Sequence, residues 1–393
     1  MSDKIDELLT RGVANIIPNK DSLLKVLESD KKLNIYLGID PTATKIHLGH
    51  AVTLRKLQQF AELGHNVTFL IGDFTALIGD TSDKDTERPV LTSEQIKENF
   101  QTYKKQAEKI VDFSKVTVKH NSEWLSKLGF EEILNLVRKF SLNDFISREL
   151  IKKRHSTGGH IRLDEVLYPV MQGYDSYHLD TDIQIGGTDQ TFNMQAGRTL
   201  QKDLRNKESF VLATEFLTGT DGRKMSKSWG NAIWLDDTPT EMYGKIMSIK
   251  DDLIIEYFTL ATNVTLDEIE KVKQELESGA NPIEIKKRLA FEIVKELNSE
   301  DEAQNAQEMF EHTVQKGELP EEITEVKFLF ETPLLEIALK ERLVESASEW
   351  KRLIEQGGVK YDNEKVANPN STATESSAVL QVGKRKFIKI NTG

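Results

Sequence analysis

One stretch limits what this chain can fold into more than any other. Leu33–Ile39 reads as a strand, Pro41 forces a turn, Thr42 to Ile46 cross a loop, and a helix of about 47–63 stops at Gly64. A second apolar run, Asn66-Val-Thr-Phe-Leu-Ile-Gly72, follows at once and suits a strand buried on both faces. Strand, helix and strand in that order make a parallel α/β unit, so the expected fold class is α/β. The start of the helix collects unpaired backbone N–H groups and the positive end of the helix dipole, which attract phosphate or carboxylate. His47 and His50 sit on that first turn. The first expectation is a phosphate-handling site.

The 393 residues are enough for two or three domains, at ~150 residues each. The chain has no cysteine, which excludes a disulfide framework, a thiolate zinc site and a thiol nucleophile. The N-terminal MSDKIDELLTRG lacks the apolar core of a secretory signal, and no apolar run approaches the ~18 residues of a membrane span. The expectation is a cytoplasmic protein with no membrane partner. A net charge of −12 argues against non-specific nucleic-acid binding through a global field. From Glu331 to Gly393, however, ten Lys+Arg meet nine Asp+Glu, so the tail is the less acidic part and leaves room for a local basic face.

Along the chain, residues 5–29 read as two short helices divided by Pro18. Gly72–Pro89 is loop-rich, Leu91 to about Ile110 returns to a helical pattern capped by Thr92 or Ser93, Val116–Lys119 is a short strand, and 122–151 is helical with breaks. Lys152–Gly159 reads as a basic, flexible break, most simply a solvated charge run and otherwise a contact with nucleic acid. In Asp164–Leu179 the spacing puts Tyr168, Gln172 and Asp175 on one helical face. Ile183–Ile185 is a strand, Gly186-Gly187-Thr188-Asp189-Gln190 a glycine turn, and 191–204 a helix. Phe210–Leu217 is β-like and runs into Thr218-Gly-Thr-Asp-Gly-Arg-Lys-Met-Ser-Lys-Ser-Trp-Gly230, where flanking glycines imply mobility. Helices fill about 239–313, Gly317 to Glu325 reads as a linker, and 333–393 forms a small unit of two helices and short strands, the last two joined near Gly383.

Taken singly, the chemical motifs are weak. His47-Leu-Gly-His50 is compatible with surface residues, a partial metal site or a phosphate contact, and no third zinc ligand stands at the usual spacing. Lys224-Met-Ser-Lys-Ser228 is one of many lysine-containing loops, and its basic residues are too separated for a nuclear-localisation signal. Together they offer a helix N-terminus with two imidazoles and a glycine-bounded loop with two ammonium groups, able to clasp a polyphosphate from both sides.

These residues resemble the class I aminoacyl-tRNA synthetases, whose signatures stand in this chain as HLGH, with Leu for Ile, and as unaltered KMSKS. Within that class the chain is similar to the bacterial tyrosyl-tRNA synthetases. Tyr36-Leu-Gly-Ile-Asp40-Pro-Thr42, Gly72-Asp-Phe-Thr-Ala-Leu-Ile-Gly-Asp80, Tyr168-Pro-Val-Met-Gln-Gly-Tyr-Asp175 and Gly186–Gln190 carry the likeness over essentially the whole length. Asp80 is followed by Thr81-Ser82 where the family commonly has Pro-Ser.

The resemblance implies a Rossmann-like catalytic domain over 1–230 with a dimer-forming insertion at about 90–165, a helical domain over 231–325, and an α+β RNA-binding domain over 330–393. It implies activation of tyrosine with ATP, release of pyrophosphate, and transfer of tyrosine to the 3′-terminal adenosine of tRNA(Tyr), in a homodimer. A carboxylate is already nucleophilic, so such a site needs alignment and charge stabilisation rather than a general base. Thr42, His47, Lys224 and Lys227 then serve the leaving pyrophosphate, with His50 completing the catalytic set. Gly38, Asp40, Gly187, Asp189 and Met225 serve ATP alongside His47, His50 and Lys227. Mg²⁺ is expected with ATP, without a dedicated cage or other bound cofactor. Tyr36 and Asp175 map onto the phenol subsite, while Asp80, Tyr168 and Gln172 hold the ammonium, with Thr75 and Gln190 close by. Phenylalanine would leave the buried phenol partners unpaired; tyrosyl-tRNA synthetases are themselves the standard example of this discrimination, at ~10⁵ without editing. Lys351 and Arg352 on the tail's second helix and Lys384 and Arg385 in its last hairpin are the implied tRNA contacts.

A tryptophanyl enzyme shares both signatures, but Tyr36 with Asp175 and the RNA-binding tail favour tyrosine. A non-catalytic RNA-binding protein would have no reason to keep His47, His50, Lys224 and Lys227, and a nucleotidylyltransferase leaves the lysine loop unexplained.

Overall fold

The computed structural model describes residues 2–29, 31–80, 91–226, 229–312, 323–344, 346–383 and 386–392. The chain divides into two compact units, residues 1–236 with 249–285 and residues 237–248 with 286–393.

The first unit begins with α1 (Ser2–Thr10), β1 (Val13–Ile17) and α2 (Lys20–Leu27). There follow β2 (Asn34–Ile39), α3 (Leu48–Glu62), β3 (Asn66–Ile71), α4 (Ser93–Ala107) and β4 (Val116–His120). Short helices α5 (Ser122–Leu125), α6 (Phe130–Val137), α7 (Leu142–Ile146) and α8 (Glu149–Ser156) lead into α9 (Leu163–His178), β5 (Ile183–Gly187), α10 (Thr191–Arg205) and β6 (Phe210–Thr214). The strands form one sheet in the order β1-β6-β5-β2-β3-β4. All neighbours run parallel except β1, which pairs antiparallel with β6.

β2 has β3 on one side and β5 on the other, so the chain builds outward through β3 and β4 before returning to lay down β5 and β6. In a sheet of this type the crevice beyond the carboxyl ends of the strands, where the order reverses, is where ligands collect. The ends of β2 and β5 therefore frame the site.

Three sequence expectations change in the fold. Residues 5–29 are not simply two helices: Val13–Ile17 is an edge strand, too short for its periodicity to show and formed by pairing with β6. Lys152–Gly159 is solvated as expected except at one residue, and it is not a break: α8 runs through Ser156, and the buried Arg154 donates through Nη1 to the fully buried Glu165 at 2.7 Å. Within the segment expected as an insertion, β4 belongs to the main sheet.

Helix α3 turns Leu48, Ala51, Leu54, Leu57 and Phe60 into the core, the i, i+3, i+4 stripe of a helix lying on a sheet. α12 (Ile254–Ala261) and α13 (Leu266–Glu277) complete this unit. Arg11 donates to the carbonyls of Phe258, Thr259, Thr262 and Val264, satisfying acceptors that the end of α12 leaves open. At α9 and α10 the backbones approach so closely that a Cβ on Gly173 would stand 3.1 Å from the carbonyl carbon of Ala196.

The second unit takes in α11 (Pro239–Met247), most of α14 (Pro282–Leu297) and α15 (Glu300–Phe310), so the helices after residue 231 are shared between the units. β7 (Glu325–Phe328), α16 (Leu334–Lys340), α17 (Ala347–Glu355), β8 (Val359–Tyr361), β9 (Glu364–Lys365), β10 (Ser377–Val382) and β11 (Lys386–Thr392) follow. Their sheet has the order β7-β11-β10-β8-β9, and its core gathers Leu334, Ile337, Trp350, Val359, Leu380 and Ile390. Asp362 and Asn363, both at positive φ, make the two-residue hairpin between β8 and β9. The expected linker from Gly317 lies largely outside the described residues, and its last residue opens β7, parallel to β11.

Candidate active site

His47 caps α3, and the turn before that helix is gripped by a distant segment. Leu48 N–H donates to the carbonyl of Ile233 at 2.9 Å and Leu235 N–H to that of Ile46 at 2.9 Å, while His47 pairs antiparallel with Trp234. This short ladder brings the lysine segment to the HLGH turn. The side chain of Met225 is buried there, its Cβ 4.0 Å from where a Cβ on Gly49 would stand.

The loop expected to be mobile is a hairpin as far as Ser226. Gly219 N–H donates to Arg223 O at 2.6 Å and Thr218 pairs with Lys224. Its root is held by α12: Glu256 accepts from the N–H and hydroxyl of Thr218 at 2.6 and 3.0 Å, and Tyr257 donates to the Thr218 carbonyl at 2.7 Å. Lys224 Nζ lies 3.1 Å from Asp189 Oδ2 and 4.0 Å from the centre of the Phe216 ring. Lys227, Lys384, Arg385 and the Thr81-Ser82 turn lie outside the described residues.

The two imidazoles stand 4.0 Å apart, and His50 Nδ1 accepts from His47 N–H at 3.3 Å. Burial pushes the His47 pKa down to about 2, with His50 and Lys224 adding to the shift. The ring is therefore neutral at physiological pH. Its buried Nδ1 has no partner among the described residues, a cost of about 1–3 kcal/mol.

Beyond β2 and β3 a polar layer ties most of the expected tyrosine residues together. Thr75 donates to Asp40 Oδ1 at 2.8 Å and the Tyr168 hydroxyl to Asp40 Oδ2 at 2.9 Å. Gly72 closes this layer, since a Cβ there would fall 1.9 Å from Asp40 Oδ1 and 2.4 Å from Thr75 Oγ1. Gln190 donates to the buried Asp80 at 2.7 Å, and Asn193 does so at 3.3 Å. Burial, reinforced by Asp40 and Asp80, holds the Tyr168 phenol well above its usual range.

Asp175 sits at the far end, where Trp124 Nε1 donates to it at 2.7 Å and Asn121 Nδ2 at 3.1 Å. The Tyr36 hydroxyl donates to Gln184 Oε1 at 3.2 Å. Gln172 is half-buried on the same helix, between Tyr168 and Asp175. Thr42 N–H donates to Asp40 O at 2.7 Å, and Gly38, at the end of β2, is exposed. A Cβ on Gly187 would stand 2.8 Å from Asp189 Oδ1, so glycine lets the carboxylate lie back over the turn. Lys351 and Arg352 are exposed on α17, in the other unit.

Asn121, Trp124, Gln184 and Asn193 escaped the sequence reading. Gln184 carried a signal, being the one polar side chain between Ile183 and Ile185 of a strand buried on both faces. Asn121, just past the end of β4, occupies the position from which such sheets present ligand groups.

Asp175 supports a prediction about pH. Burial raises its pKa to about 8 against the pull of its two donors. Between the unfolded value near 3.8 and about 8 the folded protein binds the extra proton, so this group's contribution to stability falls as pH rises through that window. Thermal unfolding from pH 4 to 8 should show the parent losing stability relative to Asp175→Asn; parallel curves would contradict the assignment.

Among the described residues no group of three or more His, Asp or Glu could hold a metal ion, and no helix is long and apolar enough to cross a membrane.

The family pattern of class I tRNA synthetases (W and Y) matches residues 28–315. A tyrosine–tRNA ligase of Photobacterium profundum is 44% identical over 383 residues, 97% of each chain. One from Haemophilus ducreyi is 43% identical over 394 residues, 99% of each. Among solved structures, a truncated mitochondrial tyrosyl-tRNA synthetase of Aspergillus nidulans aligns at a TM-score of 0.64 with 24% identity, covering 78% of this chain and 92% of its own. The Archaeoglobus fulgidus tyrosyl-tRNA synthetase complexed with L-tyrosine aligns at 0.61 with 23% identity, covering 78% and 99%.

Proposed function

Since the chain belongs to the class I tRNA synthetases of the tryptophan and tyrosine type, we propose that the crevice beyond β2 and β5 binds tyrosine at its Asp175 end and ATP at its HLGH end. The chain is a tyrosine–tRNA ligase: it activates tyrosine with ATP and charges tRNA(Tyr). The observation that supports the division of the crevice is that two chemically distinct halves share one sheet end. One is a layer of buried carboxylates and phenols; the other is a neutral imidazole and an ammonium group beside a helix N-terminus.

In the first half, Tyr36 and Asp175 receive the phenol hydroxyl, helped by Gln184. Asp80, Tyr168, Gln172 and Gln190 hold the ammonium group, with Thr75 and Asp40 keeping Tyr168 in place. The substrate carboxylate then faces the α-phosphate, with Gly38 leaving an open approach at the end of β2. In the second half, His47, Thr42, Lys224 and Lys227 stabilise charge on the departing pyrophosphate. His50, Gly187, Asp189 and Met225 hold the nucleoside. Mg²⁺ enters as the counter-ion of ATP, riding on its phosphates.

Binding of tRNA falls to the tail, where Lys351 and Arg352 project from α17 and Lys384 and Arg385 extend the same basic character. Exposed Phe130, Leu142 and Leu163 in the segment assigned to the insertion support its pairing with a second copy in a homodimer. A cytoplasmic location fits a reaction that consumes ATP and tRNA.

The test is ATP–pyrophosphate exchange with each amino acid in turn. Tyrosine alone should support exchange, and exchange with tryptophan alone would refute the phenol subsite. Truncation after residue 325 should spare exchange and weaken tRNA charging; unchanged charging would refute the tail's role.

A further inference from the structure

Asn231 lies just beyond the lysine hairpin and is buried, yet its side chain spends every polar atom inside that hairpin. Nδ2 donates to Asp221 Oδ1 at 2.7 Å and to the carbonyl of Lys224 at 3.2 Å, and Oδ1 accepts from Ser226 N–H at 2.9 Å. Its own carbonyl accepts from Thr220 N–H at 3.1 Å. One amide therefore ties the tip, the first lysine and the following serine. Gly219 lies flat against it, and a Cβ there would stand 2.3 Å from Nδ2. Asn231 also immediately precedes Ala232 and the 233–235 ladder that grips the HLGH turn, so it joins the lysine hairpin to the histidine turn.

We infer that Asn231 is a positioning residue for tyrosine activation: its side-chain amide fixes the backbone from which Lys224 reaches the site. An amide is required because the three bonds need two donor hydrogens and one acceptor at a single side chain. A carboxylate would face Asp221 and the Lys224 carbonyl with no hydrogen to give. A misplaced ammonium group is expensive in a reaction driven by alignment, because a shift of about 1 Å costs up to ~10²-fold in rate. The inference rests on the reading that Lys224 acts on the pyrophosphate.

The test uses the full chain with Asn231→Ala, Gly219→Ala, their double variant and Lys224→Ala. Single-turnover adenylate formation is measured per active site counted by titration, alongside equilibrium binding of tyrosine. Asn231→Ala and Gly219→Ala should each slow adenylate formation by about 10- to 100-fold, with tyrosine affinity within twofold of the parent. The added Cβ at Gly219 has nothing to displace once the amide is gone, so the double variant should be no slower than Asn231→Ala. A parental rate per active site in Asn231→Ala, with or without a loss of active sites, overturns the inference. So does a Gly219→Ala effect that persists in full beside Asn231→Ala. If Asn231→Ala does not fold, a parental rate in Gly219→Ala overturns it alone. Slowing by Lys224→Ala with no slowing by Asn231→Ala refutes the positioning role and keeps the site. No slowing by Lys224→Ala refutes the pyrophosphate reading instead.

Discussion

Lys224→Ala is expected to slow tyrosyl-adenylate formation by roughly 10²–10³-fold, the cost of losing one preorganised charge donor to a developing anion. His47→Ala should fall in the same range, because its neutral ring still carries one N–H to donate to the phosphate oxygens. The effect belongs in the rate of the chemical step, since pyrophosphate gains charge as it leaves and tyrosine contacts neither group. Loss of folding is a poor rival explanation for Lys224. Its ammonium group makes a half-exposed pair with Asp189, and such pairs contribute about 0–1 kcal/mol to stability. Single-turnover kinetics with a separate tyrosine-binding measurement decides the matter. An unchanged rate, or a loss of tyrosine affinity as large as the loss of rate, would remove both residues from the pyrophosphate site.

The second large effect is expected at Asp175. Both oxygens of the Asp175 carboxyl, which burial keeps protonated below about pH 8, accept from buried donors, Trp124 Nε1 and Asn121 Nδ2, before any substrate arrives. Asp175→Asn replaces one acceptor by an NH₂ group and sets donor against donor. A buried donor stranded in this way costs about 1–3 kcal/mol. That cost falls on stability; in the complex the amide also cannot match both buried donors and the phenol hydroxyl, which loses its partner, so tyrosine binding should weaken by about 10- to 100-fold. Phenylalanine, which makes no bond at that end, should bind nearly as before, so selectivity for tyrosine narrows. Pyrophosphate exchange with the two amino acids measures this directly, and equal losses for both would show that Asp175 supports the pocket without reading the hydroxyl.

The contacts around Lys224 and Asp175 differ in how visible they are in the sequence. The strand–turn–helix of β2 and α3 was legible because apolar strands, a proline turn and a glycine stop are local facts. Tyr168, Gln172 and Asp175 were legible as one face of a helix because helical spacing is periodic. The edge strand Val13–Ile17 was not, since five residues carry too little pattern and the partner strand stands some 200 positions away. Arg154 was misread for a related reason. A basic run looks solvated until the buried carboxylate that receives it, Glu165, is known to lie beside it.

What the amino-acid sequence determined by itself was the inventory of the site: two imidazoles on a helix start, a lysine loop, and acids and phenols at fixed spacings. Those are properties of residue type and near-neighbour geometry. Tertiary structure alone decided how they are joined. It placed Ile233–Leu235 against the HLGH turn, buried Asn121, Trp124 and Gln184 around Tyr36 and Asp175, and folded the glycine-flanked lysine segment onto Asn231. The physical reason is that hydrogen bonds between segments far apart in sequence leave no periodic trace. They exist only once the sheet has ordered its strands and brought their carboxyl ends to one crevice.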